Sequence, residues 1–176
     1  HFASTMGFVD AKVITLPKEL TRCLPPKLRS ATHAIAMPLL SGVTAIDANP
    51  NCINPDIIAS SVIDSHCRIV QRGWYNTDCK LEIIQLTPHA VKILDWGSLC
   101  PANAIDPTYT FFINGLHTSA QACMSINLVI TLLQLYGFAP PENTALKLTD
   151  YDVLYQTLEK VLKEPLRTRV RAILLK

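Results

Sequence analysis

Between Pro107 and Pro141 the chain runs without a single Asp, Glu, Lys or Arg. A stretch of that length with no ionised group belongs inside something, either protein or lipid. Within it, Ser119–Phe138 has the length of a membrane span, but Gln121, Ser125, Asn127, Thr131 and Gln134 punctuate it. Those amides and hydroxyls are costly in hydrocarbon, and no basic cluster flanks the segment to orient it. The spacing therefore predicts a helix buried in a protein core, with no transmembrane anchor. Thr118 or Ser119 is placed to cap its start, Gly137 lies just past its end, and Pro140-Pro141 forbids continuation.

A second helix is read from Thr149-Asp150-Tyr151-Asp152, a capping residue and acidic first turn, followed by Leu154, Leu158, Val161 and Leu162 at helical spacing. Pro165 ends it. Upstream, Phe8–Leu16 reads as an early strand closed by Pro17, and Lys18–Arg29 as a loop or helical turn broken by Pro25-Pro26. Ser30–Ile46, rich in Ala and Leu around Pro38, suggests two short helical pieces. Asp47–Pro55, with Asn-Pro twice, reads as a long loop. The centre reads as an antiparallel β-meander: His66–Trp74 and Cys79–Thr87 about a Tyr75–Asp78 turn, then Val91–Trp96, a Gly97–Pro107 loop and Tyr109–Leu116. The fold class expected is α+β, one domain over residues 1–176, with a small antiparallel meander and several packed helices.

Composition narrows the function classes. Only 17% of the 176 residues are charged, against about 25% in an ordinary soluble domain, and mean hydropathy is +0.23. A net charge of +2 with 49% hydrophobic residues excludes disorder. Such a surface has few ions to cover it, which suggests contact with another molecule. Cys23, Cys52, Cys67, Cys79, Cys100 and Cys123 include no CxxC pair, and neither a secretory leader nor an Asn-x-Ser/Thr acceptor is seen. They read as reduced residues of an intracellular, cytoplasmic protein.

The sharpest local feature is Leu166–Lys176, where Arg167, Arg169 and Arg171 alternate with apolar or small residues. On a strand all three guanidinium groups share one face; on a helix Arg169 points away from the other two. With Lys163 and Lys176 nearby, they form a candidate surface for nucleic acid or anionic membrane, since the planar fork of Arg suits phosphate. A solvated face, or pairing with Asp47, Asp56, Asp64, Asp78, Asp95 and Asp106, is the plainer reading. Lys12, Lys18, Arg22, Lys27 and Arg29 make a second basic group.

Signals for catalysis are sparse. Asp64-Ser65-His66-Cys67 aligns reactive types, but strand neighbours point to opposite faces. Cys100 with His89, or Cys123 with His117, would need the fold to join them. No short-spaced ligand pair marks a metal, no Gly-rich motif cradles phosphate, and no cofactor is implied. Trp74, Tyr75, Trp96, Tyr109, Phe111 and Phe112 read as sheet core. These features point to a non-enzymatic structural protein that self-associates into homo-oligomers. A viral coat or matrix component of a virion fits that description, with its arginine stripe toward RNA or lipid. The alternative is a small cytosolic enzyme or ligand-binding domain with a Cys/His/Asp site assembled from distant residues.

Overall fold

The computed structural model describes residues 12–36, 39–101, 111–113, 116–139 and 148–174; for 111–113, 116–118 and 148–149 it describes the backbone. Helices and small antiparallel sheets alternate through the chain, so the α+β class holds. The chain, expected as one domain, divides into two compact units, His1–Leu40 and Ser41–Lys176.

In the first unit β1 (Lys12–Thr15) pairs antiparallel with β2 (His33–Ala36), Val13 opposite Ile35. Helix α1 (Lys18–Cys23) follows Pro17, and a 3-10 turn over Pro26–Leu28 follows Pro25, so the two prolines break this basic segment as its sequence suggests. The helical expectation for Ser30–Ile46 is corrected. His33–Ala36 and β3 (Val43–Thr44) are strands, because partners in β1 and in β5 outweigh the helix propensity of the alanines.

Among the described residues, the second unit is built on four further helices. The expected loop holds over residues 47–54, with a 3-10 turn at Pro50–Cys52, and helix α2 (Pro55–Val70), which follows it, corrects the first-strand expectation. Asn54 is its N-cap, accepting from the Asp56 amide at 3.0 Å, and Pro55 takes the first helical position, where a missing N–H costs nothing. Ile58, Ala59, Val62, Ile63, His66 and Ile69 then bury one face. Helix α3 (Ala120–Leu135) is the uncharged segment, capped by Ser119 through the Ala122 amide at 3.2 Å and followed by Gly137 at φ +84°. Helix α4 (Leu148–Val161) packs against α3, and α5 (Leu166–Arg171) against α2.

Strand β3 pairs with β5 (Ile84–Leu86), and β5 with β6 (Val91–Ile93). Strand β4 (Trp74–Asn76) pairs with β7 (Leu99–Pro101), inside the expected loop. Strands β8 (Phe111–Ile113) and β9 (Leu116–Thr118) form a hairpin where one strand was expected. Gly42, at φ +134°, lets the chain enter β3: a Cβ there would fall 1.9 Å from the Leu86 carbonyl oxygen. Ile63, Ile84, Leu128, Leu132, Leu158 and Leu162 are fully buried in one apolar cluster. Each contributes about 1.5–3 kcal/mol by leaving water.

No helix among the described residues is long and apolar enough to cross a membrane. All six cysteines are free thiols: Cys79, Cys100 and Cys123 are buried, Cys67 is half-buried, and Cys23 and Cys52 are exposed.

Candidate functional site

The pairing of β4 with β7 decides which polar residues meet. Asn76 lies opposite Leu99, so the turn leaving β4 and the turn entering β7 sit side by side. Thr77 joins them, its amide and hydroxyl both donating to the Ser98 carbonyl at 3.2 and 2.9 Å. The first turn carries Asp78 and Lys80, the second Asp95, Trp96 and Gly97. The hairpin of β5 and β6 is the only regular strand pairing between them in sequence.

Lys80 donates to Asp78 at 2.7 Å, and both side chains are open to solvent over nearly half their surface. The ammonium is held above its ordinary pKa first by that hydrogen bond and then by the fields of Asp78, Glu82 and Asp95. Lys80 is thus the counter-charge of Asp78, with Asp95 of the second turn the weakest of the acids acting on it. Asp95 stands at φ +46°, a left-handed conformation rare outside glycine, and its carboxylate accepts from the Gly97 amide at 3.2 Å. The Trp96 indole donates to the Ile93 carbonyl at 2.9 Å.

The turns rest on buried supports. The side-chain oxygen of Asn76 accepts from the Asp78 amide at 3.2 Å. Beneath them, His66 of α2 is fully buried with its ring centroid 6.1 Å from that of Trp96. Its Nδ1 lies 2.8 Å from the Val62 carbonyl and its Nε2 has no partner. Burial drives the imidazole down to about 4, against a smaller upward pull from the Val62 carbonyl. On α3, Asn127 donates to the Thr77 carbonyl at 2.6 Å and Thr131 lies 2.9 Å from the Cys79 carbonyl.

The residues expected to form a basic surface are placed differently. Leu166–Arg171 is helical, so the single-face strand arrangement is corrected. Arg167 donates through Nε and a terminal nitrogen to the Leu162 carbonyl, at 3.1 and 2.7 Å. Arg169 reaches back to α2, donating to the Ser60 hydroxyl and carbonyl at 3.3 Å each and pairing with Asp64. Arg171 pairs with Glu159 of α4, with Nε 2.8 and 2.9 Å from the two carboxylate oxygens. Lys163 pairs with Asp56 at 3.1 Å, whose other oxygen accepts from the Tyr136 hydroxyl at 2.6 Å. Lys176 lies outside the described residues. Around these pairs is an open cleft of about 290 Å³ whose lining includes Asp56, Ser60, Lys163 and Arg169. Its cations already face carboxylates.

The Cys–His pairings fare no better. His66 and Cys67 are helical neighbours, with the ring sealed in the core. His89 is exposed on the β5–β6 turn while Cys100 is buried, and the side chain of His117 is outside the described residues. Burial pushes the thiols of Cys67, Cys79 and Cys123 up, the last two to about 12 and about 11, so all three are protonated and inert near neutrality. Among the described residues no three His, Cys, Asp or Glu side chains form a metal cluster.

No family model matches the chain, and no curated protein matches it. Comparison with solved structures finds a likeness to a kinase domain. This is the PknI kinase domain of M.tuberculosis, 18% identical with a TM-score of 0.48, covering 79% of this chain and 64% of that one. The chain therefore spans less than two thirds of that domain, and a likeness of this size assigns no residue a role. The expectation of a non-enzymatic, self-associating coat or matrix component is corrected: the solved structure that the chain resembles is a kinase domain. The internal pairing of Arg167, Arg169 and Arg171 removes the physical basis of that expectation.

Asp78-x-Lys80 and Asp95-Trp96-Gly97 escaped the sequence reading, which treated the first as a hairpin turn and the second as the end of a strand. The available signal was local: an acid and a lysine two apart before a strand pair, then an acid, an aromatic and a glycine directly after it.

Proposed function

We propose that the chain is a kinase-like domain that transfers a phosphoryl group to a hydroxyl acceptor at the Asp78–Lys80–Asp95 turns. The observation that carries this reading is the Lys80–Asp78 hydrogen bond on a turn that Thr77 and Ser98 stitch to the turn bearing Asp95. In protein kinases a loop aspartate accepts the acceptor's proton, and the aspartate of a later acid–aromatic–glycine turn faces the nucleotide phosphates. The solvent-open carboxylate of Asp78 suits the first task, and Lys80 offsets the negative charge of the incoming phosphates. His66 and Asn76 are fully buried beside the turns.

The chain departs from the kinase pattern in stated places. Asn76-Thr77 stand where that pattern has His-Arg, and Ile83, five residues after Asp78, stands where it has a metal-binding Asn. Ile83 is 6% exposed within the apolar cluster, so a two-ion magnesium site does not fit these residues. Buried thiols at Cys79, Cys100 and Cys123 suit a reducing, nucleotide-containing compartment.

The test is labelled-phosphate transfer from a nucleoside triphosphate by the full chain. Asp78→Asn should lower the transfer rate by about 10²–10⁴-fold with nucleotide affinity retained, and Asp95→Asn should weaken nucleotide binding. A wild-type chain that binds no nucleotide in calorimetry would overturn the proposal. Binding without transfer would limit it to a nucleotide-binding domain.

A further inference from the structure

One stripe of α3, Cys123, Asn127 and Thr131, runs beneath the Asp78 turn at the four-residue spacing that puts side chains on one helix face. The Asn127 amide donates to the Thr77 carbonyl at 2.6 Å, and the Cys123 thiol lies 3.5 Å from that same oxygen. The Thr131 hydroxyl lies 2.9 Å from the Cys79 carbonyl and 2.7 Å from the Asn127 carbonyl, its one proton serving one of them at a time. The carbonyls immediately before and after Asp78 are thus both held from one helix, and the Asp78 amide is held by Asn76 at 3.2 Å. The peptide groups 77–78 and 79–80, one on each side of Asp78, are thus pinned, which restricts the direction in which the Asp78 side chain leaves the backbone.

We infer that Asn127 and Thr131 are positioning residues that aim Asp78, acting through the carbonyls on either side of it. This rests on the reading of Asp78 as the proton acceptor, and it names how the fold holds that group. The chemistry of the two side chains suits the task. Carbonyl oxygens need donors, and Thr131 is only 1% exposed, so a charged donor in its place would carry a heavy desolvation cost. A neutral amide and a hydroxyl give the hydrogen bonds without that penalty. The polar residues interrupting the uncharged helix thereby acquire a purpose at Asn127 and Thr131.

The experiment compares Asn127→Ala, Thr131→Val and the conservative Thr131→Ser in the full chain, with two readouts. Amide hydrogen exchange is followed at residues 77–80 and, as a reference, along α2. Phosphoryl transfer is resolved into kcat and nucleotide KM. Asn127→Ala and Thr131→Val should each raise exchange at residues 77–80 on the order of tenfold with α2 unchanged. They should lower kcat about 10–100-fold at nearly constant KM. Thr131→Ser should restore both. Unchanged local exchange, or exchange that rises equally in α2, would overturn the positioning role, as would a kcat insensitive to both variants. If the wild-type chain transfers no phosphate, the functional reading fails by itself, and the exchange data still decide whether α3 holds the turn.

Discussion

Helix α3 and helix α5 both direct polar side chains at neighbouring chain segments, yet they do so in opposite solvents. From α3, the uncharged donors Asn127, half-buried, and Thr131, buried, meet the carbonyls of Thr77 and Cys79. From α5, Arg169 and Arg171 meet Asp64 and Glu159 at the water boundary. A buried neutral hydrogen bond has no water to replace it when its partner is removed, whereas a surface ion pair is screened and readily resolvated. The helix without charges should therefore be the more sensitive of the two, although α5 makes the more conspicuous contacts.

The largest effect should come from the apolar side of α3. Leu132 is fully buried, and Leu132→Ala should lower the unfolding free energy by about 2–5 kcal/mol in urea titration. A loss below about 1 kcal/mol, less than one buried side chain is worth, would deny α3 its central place.

His66, beneath the same turns, should come next and should reveal itself through pH. Its folded-state pKa lies near 4, below the ordinary value of 6.5, so the unfolded chain binds the proton more readily. Stability contributed by keeping the ring neutral is complete above about pH 6.5 and is lost as pH falls from there toward 4, by about 3 kcal/mol in all. His66→Phe should flatten that part of the profile. An unaltered slope would move the titration to another group.

Thr131→Val, which strands the Cys79 carbonyl without a donor, should cost about 1–3 kcal/mol, and Thr131→Ser should cost less. The smallest effect belongs to α5: Arg169→Ala should cost about 1 kcal/mol or less, shrinking further in high salt. If Arg169→Ala proved the costlier of these two substitutions in matched denaturation curves, the contrast between the helices would collapse.

The legible parts of this fold are those in which neighbouring residues carry the whole signal. Ser119, the uncharged run and Gly137 define α3 unaided, and the spacing of Leu154, Leu158 and Leu162 defines the apolar face that α4 carries onward. Where one local motif admitted two structures, the reading failed. Asn54-Pro55 reads as turn chemistry, yet the same dipeptide is a cap followed by a first-turn proline, and the apolar spacing of Ile58, Val62 and Ile69 favours the helix. His33–Ala36 is strand only because β1 lies beside it.

The candidate site was not legible for a further reason. Asp78 and Asp95 stand on different turns, and nothing short-range in the sequence states that β4 pairs with β7. The arginines illustrate the converse: their alternation was plain, but their partners Asp64, Glu159 and the Leu162 carbonyl could be known only once the helices were packed.

By itself, then, the sequence determined that a long uncharged helix must be largely buried, where it begins and ends, and that amides and hydroxyls would interrupt its apolar surface. Those outcomes follow from desolvation and from capping, which act over a few residues. The tertiary structure alone decided what those polar groups would hold, because a donor of α3 and a carbonyl beside Asp78 meet only when distant segments pack. That encounter turns two polar interruptions of an apolar helix into the supports of a turn bearing Asp78 and Lys80.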